Sequence, residues 1–341
     1  MTHRSRTALI IGATGSFGAH AAIALIKRGW RVRALTRDPA GAAAKAGRST
    51  PIAWVKGDAM SGAHVAAAAR GADLIVHAAN PPAYRNWKGT VLPMLESTIA
   101  AAIGEGARIV LPGTVYNFAP GAGPRIGEDA PQAPVTRKGA IRVAMERRLR
   151  EAASQGAKAL ILRAGDFFGP AAANSALGTW LVRRRGDRVA GVWAPGPIEV
   201  GHAFAYLPDL AETLARLMER EAELADFEEF HFAGHWLERG DALAASIRRA
   251  TGRGDLPLRS FPWPVVYAAA PFNETMRELI EMRYLWQKPI GLDGGKLAAF
   301  LGAIPATPLD AAIETTLADM GLLATAEAPA GFTGREALAA G

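Results

Sequence analysis

The run Gly12-Ala13-Thr14-Gly15-Ser16-Phe17-Gly18 constrains this chain more than any other feature. It follows an apolar stretch at residues 7–11 and opens a helix-like stretch at 17–28. Glycines spaced by three at a strand-to-helix turn have a direct physical reading. Gly12 permits the tight turn, Gly15 lets backbone N–H groups approach a phosphate, and Gly18 lets helix and strand pack closely. The unsatisfied N–H groups at the helix start, aligned with its dipole, add partial positive charge at the turn. Thr14, Ser16 and Phe17 belong to the same turn and are expected beside the phosphates. A plain strand-to-helix turn is the other reading, and it weakens because this turn heads a repeating strand–helix pattern.

That pattern runs to about Arg163. Short aliphatic runs at 7–14, 31–37, 52–55, 72–79, 107–113 and 157–165 alternate with helical stretches at 17–28, 61–70, 91–103 and 136–154. Strands of four to eight residues alternating with longer helices predict an α/β fold, with a parallel sheet covered on both faces. Handedness rules then favour a doubly wound, Rossmann-type sheet. Beyond Arg163 proline and glycine punctuate residues 169–208. Helices are predicted at 209–221, 241–251, 273–287, 295–301 and 309–320, with a strand at 229–233. The expected organisation is a dinucleotide-binding domain over 1–165, to which 208–235 returns. A smaller, mostly helical C-terminal substrate lobe takes 166–207 and 236–330, and 331–341 forms a frayed tail.

Composition narrows the function classes. The 341 residues are 50% hydrophobic and 21% charged, which excludes a disordered protein. There is no cysteine, so disulfides, thiolate catalysis and cysteine–zinc sites are excluded. His231 and His235 are poorly spaced for zinc across a strand and turn, and no metal is expected. No apolar run reaches the roughly 18 residues a membrane span needs. Residues 8–11 are too short for a signal-peptide core, which makes the cytoplasm the expected compartment. The excess of 39 Lys+Arg over 32 Asp+Glu gives a net +7 that suits an anionic ligand. The basic clusters at 147–150, 183–185 and 248–249 sit on helix-like stretches without interleaved aromatics. They read as solvated faces, so no nucleic-acid partner is expected.

The end of the second strand selects the nucleotide. An NAD site usually places an acid there for the ribose hydroxyls. Here the residues are Thr36 and Arg37, which suit a 2′-phosphate, so NADP(H) is expected. Asp38, one residue further, keeps NAD open. Asp58 after the third strand is placed to accept from the adenine amino group or to cap a turn. Ala78 and Ala79 after the fourth strand line the dinucleotide path.

The segments GATGSFGAH, Gly57-Asp58, HAAN at 77–80, VYN at 115–117, RAGDFFGP at 163–170 and AYLPDLA at 205–211 together resemble the extended short-chain dehydrogenase/reductases, and more narrowly the NAD-dependent epimerase/dehydratase group. The resemblance spans about 7–211. It implies a Ser or Thr, a Tyr and a Lys in a YxxxK helix, with the Tyr as acid/base. This chain departs from that pattern: Lys138 stands where the Tyr belongs and Arg142 where the Lys belongs. Pro112 stands at the Ser position, with Thr114 two residues on. The KxxxRxxxE spacing from Lys138 through Arg142 to Glu146 resembles the isoflavone-reductase-like branch, which implies acid/base work by Lys138 in an NADPH-dependent reduction. Lys138 and Arg142 lie one helical turn apart and face the same way. They read either as catalytic groups, Lys138 also touching the cofactor, or as solvated charges. Tyr116 is a second candidate proton donor.

On the substrate side, Tyr84, Trp87, Asn117, Asp166, Phe168, Asn174 and His202 are the candidates. Aromatic walls with few charges suit an apolar substrate better than a nucleotide sugar, whose diphosphate needs basic anchors. The expected activity is an NADP(H)-dependent reductase of the atypical short-chain type, acting on a small, largely apolar carbonyl, enone or ether. The alternatives are a nucleotide-sugar epimerase or dehydratase and a non-catalytic NAD(P)-binding redox sensor. The helices at 91–103 and 136–154 resemble the pair that forms a dimer interface in this family, which implies a homodimer.

Overall fold

The computed structural model describes residues 5–47, 50–80, 87–172 and 175–323. In chain order the strands are β1 (Thr7–Ile11), β2 (Arg31–Thr36), β3 (Ile52–Lys56), β4 (Leu74–His77), β5 (Arg108–Gly113), β6 (Gly123–Ile126), β7 (Lys158–Ala164), β8 (Asp166–Phe168), β9 (Val182–Arg185), β10 (Arg188–Ala194), β11 (His202–Tyr206), β12 (Phe227–Phe232), β13 (His235–Leu237), β14 (Leu258–Ser260) and β15 (Ile290–Leu292). The helices are α1 (Ser16–Lys27), α2 (Pro39–Ala46), α3 (Gly62–Ala69), α4 (Trp87–Glu105), α5 (Arg137–Ala153), α6 (Leu207–Glu219), α7 (Asp241–Thr251), α8 (Trp263–Ala269), α9 (Glu274–Glu281), α10 (Gly295–Leu301) and α11 (Leu309–Asp319).

A seven-stranded sheet in the order β12-β7-β5-β4-β1-β2-β3 forms the main body, and every pairing in it is parallel. Every residue of β1 is at most 1% exposed, because both faces of this central strand are covered. Ala8 and Ile10 pack with α1 and α6, while Leu9 and Ile11 pack with α3, α4 and α5. Each such Leu or Ile contributes roughly 1.5–3 kcal/mol of burial. The chain runs outward from β1 through β2 to β3 and then crosses to β4, on the other side of β1. This reversal opens the crevice at the carboxyl ends of the strands where ligands of such sheets bind.

The six strands and four helices read from the sequence to Ala164 are present within a few residues at each boundary, and the structure adds α2 and β6. The segment read as irregular does not: it holds β9, β10 and β11. The small sheets are β14-β10-β9, and β13-β11-β15-β6 with β8 paired to β11. β9, Val-Arg-Arg-Arg, and β6, Gly-Pro-Arg-Ile, carry no apolar run, whereas β10 and β11 are apolar but lie among the prolines and glycines of 169–208. The helix predicted at 273–287 is broken after Glu281 and resumes as a 3₁₀ turn at Arg283–Trp286. Among the described residues, no helix is long and apolar enough to cross a membrane.

Candidate active site

The glycine turn has the geometry its spacing predicts. Gly12 has φ +99°, and a Cβ there would come within 2.6 Å of the Ala78 carbonyl carbon and 2.7 Å of Ala79 N. A Cβ on Gly18 would overlap the Gly12 carbonyl. Gly15 caps α1 without a side-chain acceptor and the first turn carries no acid, so its N–H groups stay available to an anion. Ala78 is tied by its N–H to Ile11 O at 2.8 Å, which sets the β4 side of the crevice. The Phe17 ring is turned into the core against Phe167, so this residue brings only backbone to the turn. The cradle a Cβ would fill fits a dinucleotide's bridging phosphates.

Beside the end of β2 is an open cavity of about 360 Å³ lined by Arg37, Lys56, Gly57, Asp58 and His64. Asp38, the residue that left NAD open, caps α2: its Oδ1 accepts from Gly41 N at 3.0 Å. Thr36 Oγ1 accepts from Asp38 N at 3.3 Å. Asp58 accepts from Met60 N at 2.9 Å, which makes it a turn-forming residue at the cavity edge.

At the other end of the crevice, α5 presents Lys138, Arg142 and Glu146 on one buried face, 3%, 5% and 2% exposed. The solvated-charge reading of Lys138 and Arg142 therefore falls, while Arg147 and Arg150 on the same helix are exposed. Lys138 Nζ forms an ion pair with Glu278 and donates to the Glu278 carbonyl at 3.3 Å. Glu281 accepts from the Lys138 backbone N–H at 3.3 Å, so two carboxylates of α9 sit on the positive end of α5. Arg142 donates to Pro112 O at 3.4 Å and to Asn80 Oδ1 at 3.1 Å, and its guanidinium lies 5.3 Å from the Trp87 ring centroid. Glu278, Glu281 and Asn80 were not foreseen, and no local signal in the sequence ties α9 to residue 138. Tyr284 was also missed. Its hydroxyl lies beside Thr136 and Asp166, and burial, then the Glu281 charge, push the phenol up to about 12.

Beneath these residues lies a buried ionic network. Arg163 donates to Glu146 at 2.7 Å, to Glu229 at 2.5 Å, to His231 Nε2 at 3.1 Å and to Thr114 O at 2.6 Å. His231 Nδ1 faces Ile126 O at 2.8 Å, so the ring donates there and accepts from Arg163. Burial raises the Glu229 carboxyl, but the Arg163 guanidinium bonded to it outweighs burial and holds it down at about 2. Gln132 links Glu146 to Asn117 at 2.7 and 3.1 Å, and the Thr114 hydroxyl faces Asn117 Oδ1 at 3.4 Å.

A family model, the NAD dependent epimerase/dehydratase family, matches residues 8–231, spanning the glycine turn, α5 and this network. The chain belongs to that family. Among solved structures, the UDP-glucose 4-epimerase of Brucella ovis in complex with NAD is similar at 16% identity, over 93% of this chain and 99% of that one, with a TM-score of 0.71. The UDP-glucuronic acid 4-epimerase of Bacillus cereus, bound to UDP-glucuronic acid and NAD, is similar at 14% identity, over 92% and 98%, with a TM-score of 0.70. The crystal structure of gox2253 is similar at 19% identity, over 92% and 97%, also with a TM-score of 0.70. No curated protein matches the sequence.

In this epimerase/dehydratase-family chain only part of the expected substrate set gathers at the crevice. Asp166 and His202 pair at 3.0 Å, and the imidazole stacks on Trp286 at 3.7 Å and 4°. Phe168 does not line the site: it is 1% exposed, in a cluster with Phe204, Tyr206 and His235. Asn117 is fully buried in the network just described, and Trp87 is core packing under Arg142. Their polar or aromatic character serves packing and hydrogen bonding, which local sequence does not distinguish from ligand contact. Tyr84 and Asn174 lie outside the described residues. Tyr116 packs half-buried against the cluster of Val115, Phe118 and Leu285. On α4 and α5 the apolar side chains Met94, Ile99, Met145 and Leu149 turn inward, so their Ala, Ile and Met content is accounted for largely within one chain.

His77, at the end of β4, carries a pH dependence. Its Nδ1 meets Thr98 Oγ1 at 2.8 Å, and full burial, then the Arg142 charge, push its pKa from 6.5 down to about 4. Below pH 6.5 the unfolded chain takes up a proton that the fold refuses. Stability is therefore full above about pH 6.5 and falls toward pH 4, by roughly 3 kcal/mol at 1.4 kcal/mol per unit. Glu229 adds a loss only below its unfolded value of 4.5. Urea denaturation at pH 7.5 and 5 is expected to show the drop. His77→Gln should remove the His77 share of it, leaving those of His20 and His235, whose burial acts in the same direction. An unchanged slope in the variant would rule His77 out as the cause.

Proposed function

We propose that the chain is an NADP(H)-dependent oxidoreductase acting on a small, largely apolar carbonyl, enone or ether, with Lys138 handling the proton. The observation that carries this reading is the burial of Lys138 at the ring end of the crevice, held there by Glu278. A bound nicotinamide supplies the hydride. The chain supplies the rest. The Lys138 ammonium, steadied by the Glu278 side chain and carbonyl, delivers one proton to the substrate atom that becomes O–H or C–H and recovers it from solvent. Arg142, bonded to Pro112 and Asn80, ties the end of β5 to the segment after β4 and keeps the ring end in register.

The nucleotide-sugar epimerase or dehydratase reading is supported by the family and by the printed names of the solved relatives. The electrostatics of the ring end favour the smaller, uncharged substrate. Among the described residues, Lys138 and Arg137 are matched to Glu278 and Glu281, and Asp166 adds a further carboxylate. On β9, Arg183 lies over the Trp193 ring at 4.8 Å and Arg184 donates to Gly178 O at 3.2 Å. A diphosphate at the ring end meets acids there.

Fluorescence titration with NADPH and NADH, followed by a panel of ketones, enones and UDP-sugars, separates the readings. NADPH oxidation by an apolar carbonyl or enone supports the reductase, and interconversion of a UDP-sugar overturns it. Tight binding with no turnover on any of them supports the sensor. In the same assay Gly12→Val is expected to weaken both dinucleotides at least tenfold, since its side chain meets Ala78 and the backbone is strained at positive φ. Unchanged affinity in that variant would remove the glycine turn as the binding element.

A further inference from the structure

We infer that Lys56, on β3, is a specificity-determining residue that completes a 2′-phosphate subsite with Arg37. The inference rests on the NADP(H) reading above and extends it to a residue 19 positions away from Arg37 that neither the glycine turn nor the end of β2 points to. Three observations carry it. Lys56 is the in-register partner of Thr36 in the parallel pairing of β2 and β3, so its Cα lies beside the Thr36–Arg37 corner. Paired strands lie about 4.8 Å apart, which puts the Lys56 Cα next to the last residue of β2 and one residue from Arg37. Lys56 and Arg37 line one cavity of about 360 Å³ together with Asp58 and His64.

The charge balance in that cavity is the second part of the argument. Among the described residues neither Arg37 nor Lys56 forms an ion pair, whereas Arg163 is paired with Glu146 and Glu229. The nearby acids are occupied locally: Asp38 caps α2 through Gly41 N, and Asp58 accepts from Met60 N. His64 Nδ1 accepts from Asp58 N at 3.3 Å, which leaves the other edge of its ring to the cavity. Arg37 and Lys56 put two cations on a concavity whose one lining acid, Asp58, is held by the Met60 N–H, and the excess positive charge complements a dianion. Arg37 offers a planar fork and Lys56 a point charge, the two modes by which phosphate oxygens are held.

The test needs no substrate. Dissociation constants for NADPH, NADH, 2′,5′-ADP and 5′-AMP are measured by fluorescence or calorimetry on wild type, Lys56→Met, Lys56→Arg and Arg37→Ala. Lys56 is exposed at the strand end, so the substitutions do not disturb the core. The wild type is expected to prefer NADPH at least tenfold. Lys56→Met is expected to weaken NADPH and 2′,5′-ADP about five- to tenfold, as for loss of one partly exposed charge-assisted contact, and to leave NADH and 5′-AMP within twofold. Lys56→Arg should restore most of the preference, and the preference should decline with added salt. If Arg37→Ala abolishes the preference while Lys56→Met leaves it intact, the Lys56 subsite is wrong and the NADP(H) reading stands. If the wild type prefers NADH, the cofactor reading falls and the inference falls with it.

Discussion

Replacing Arg163 with Met is expected to destabilise the fold by about 3–5 kcal/mol, the largest single-residue effect outside the hydrophobic core. Arg163 is fully buried and is the shared cation of Glu146 and Glu229, which are 2% and 6% exposed. Met fills much of the volume but leaves Glu146 buried without its cation and Glu229 with only the exposed Arg150 at 3.8 Å, and it removes the donor to Thr114 O. The same loss should not follow from a triple replacement of Arg163, Glu146 and Glu229 by apolar residues of similar size, because the desolvation penalty then disappears with the charges. Urea denaturation of both variants checks this. A loss below about 1 kcal/mol in Arg163→Met would show that the network is hydrated rather than sealed.

Lys138→Met is expected to lower turnover by about 10²–10⁴, the usual contribution of a positioned acid or base, with NADPH affinity unchanged within about threefold. The variant keeps the length of the side chain, and the Glu278 carboxylate left behind is partly exposed and reaches water. The comparison of binding with turnover separates a proton-handling residue from one that merely packs α5 against α9. If turnover survives, Lys138 is a structural ion-pair partner, and the phenols of Tyr116 and Tyr284 become the proton donors to test.

What could be read from the residues was local. The glycine turn, the alternation of strands and helices, and the face shared by Lys138, Arg142 and Glu146 all depend on spacings of a few residues, which backbone geometry converts directly into position. Asp38 illustrates the limit of that reading. Its place at the end of β2 suits a ribose contact, and only the structure shows its carboxylate capping α2. Asn117, Trp87 and Phe168 were placed at the substrate by their nearness to motifs, but a polar or aromatic side chain at such a position serves the core equally well. Glu278 and Tyr284 could not be found at all, because their relation to α5 is made by packing between distant segments.

The distance between Lys138 and Glu278 along the chain, 140 residues, has an evolutionary corollary. On the proposed reading, the stretch that grips the dinucleotide and the stretch that sets the charge around Lys138 are encoded separately. Exchange or drift of the C-terminal stretch can therefore redirect the chemistry while the nucleotide grip is inherited intact. A family built this way can diversify its reactions by editing a short helix rather than by rebuilding the sheet.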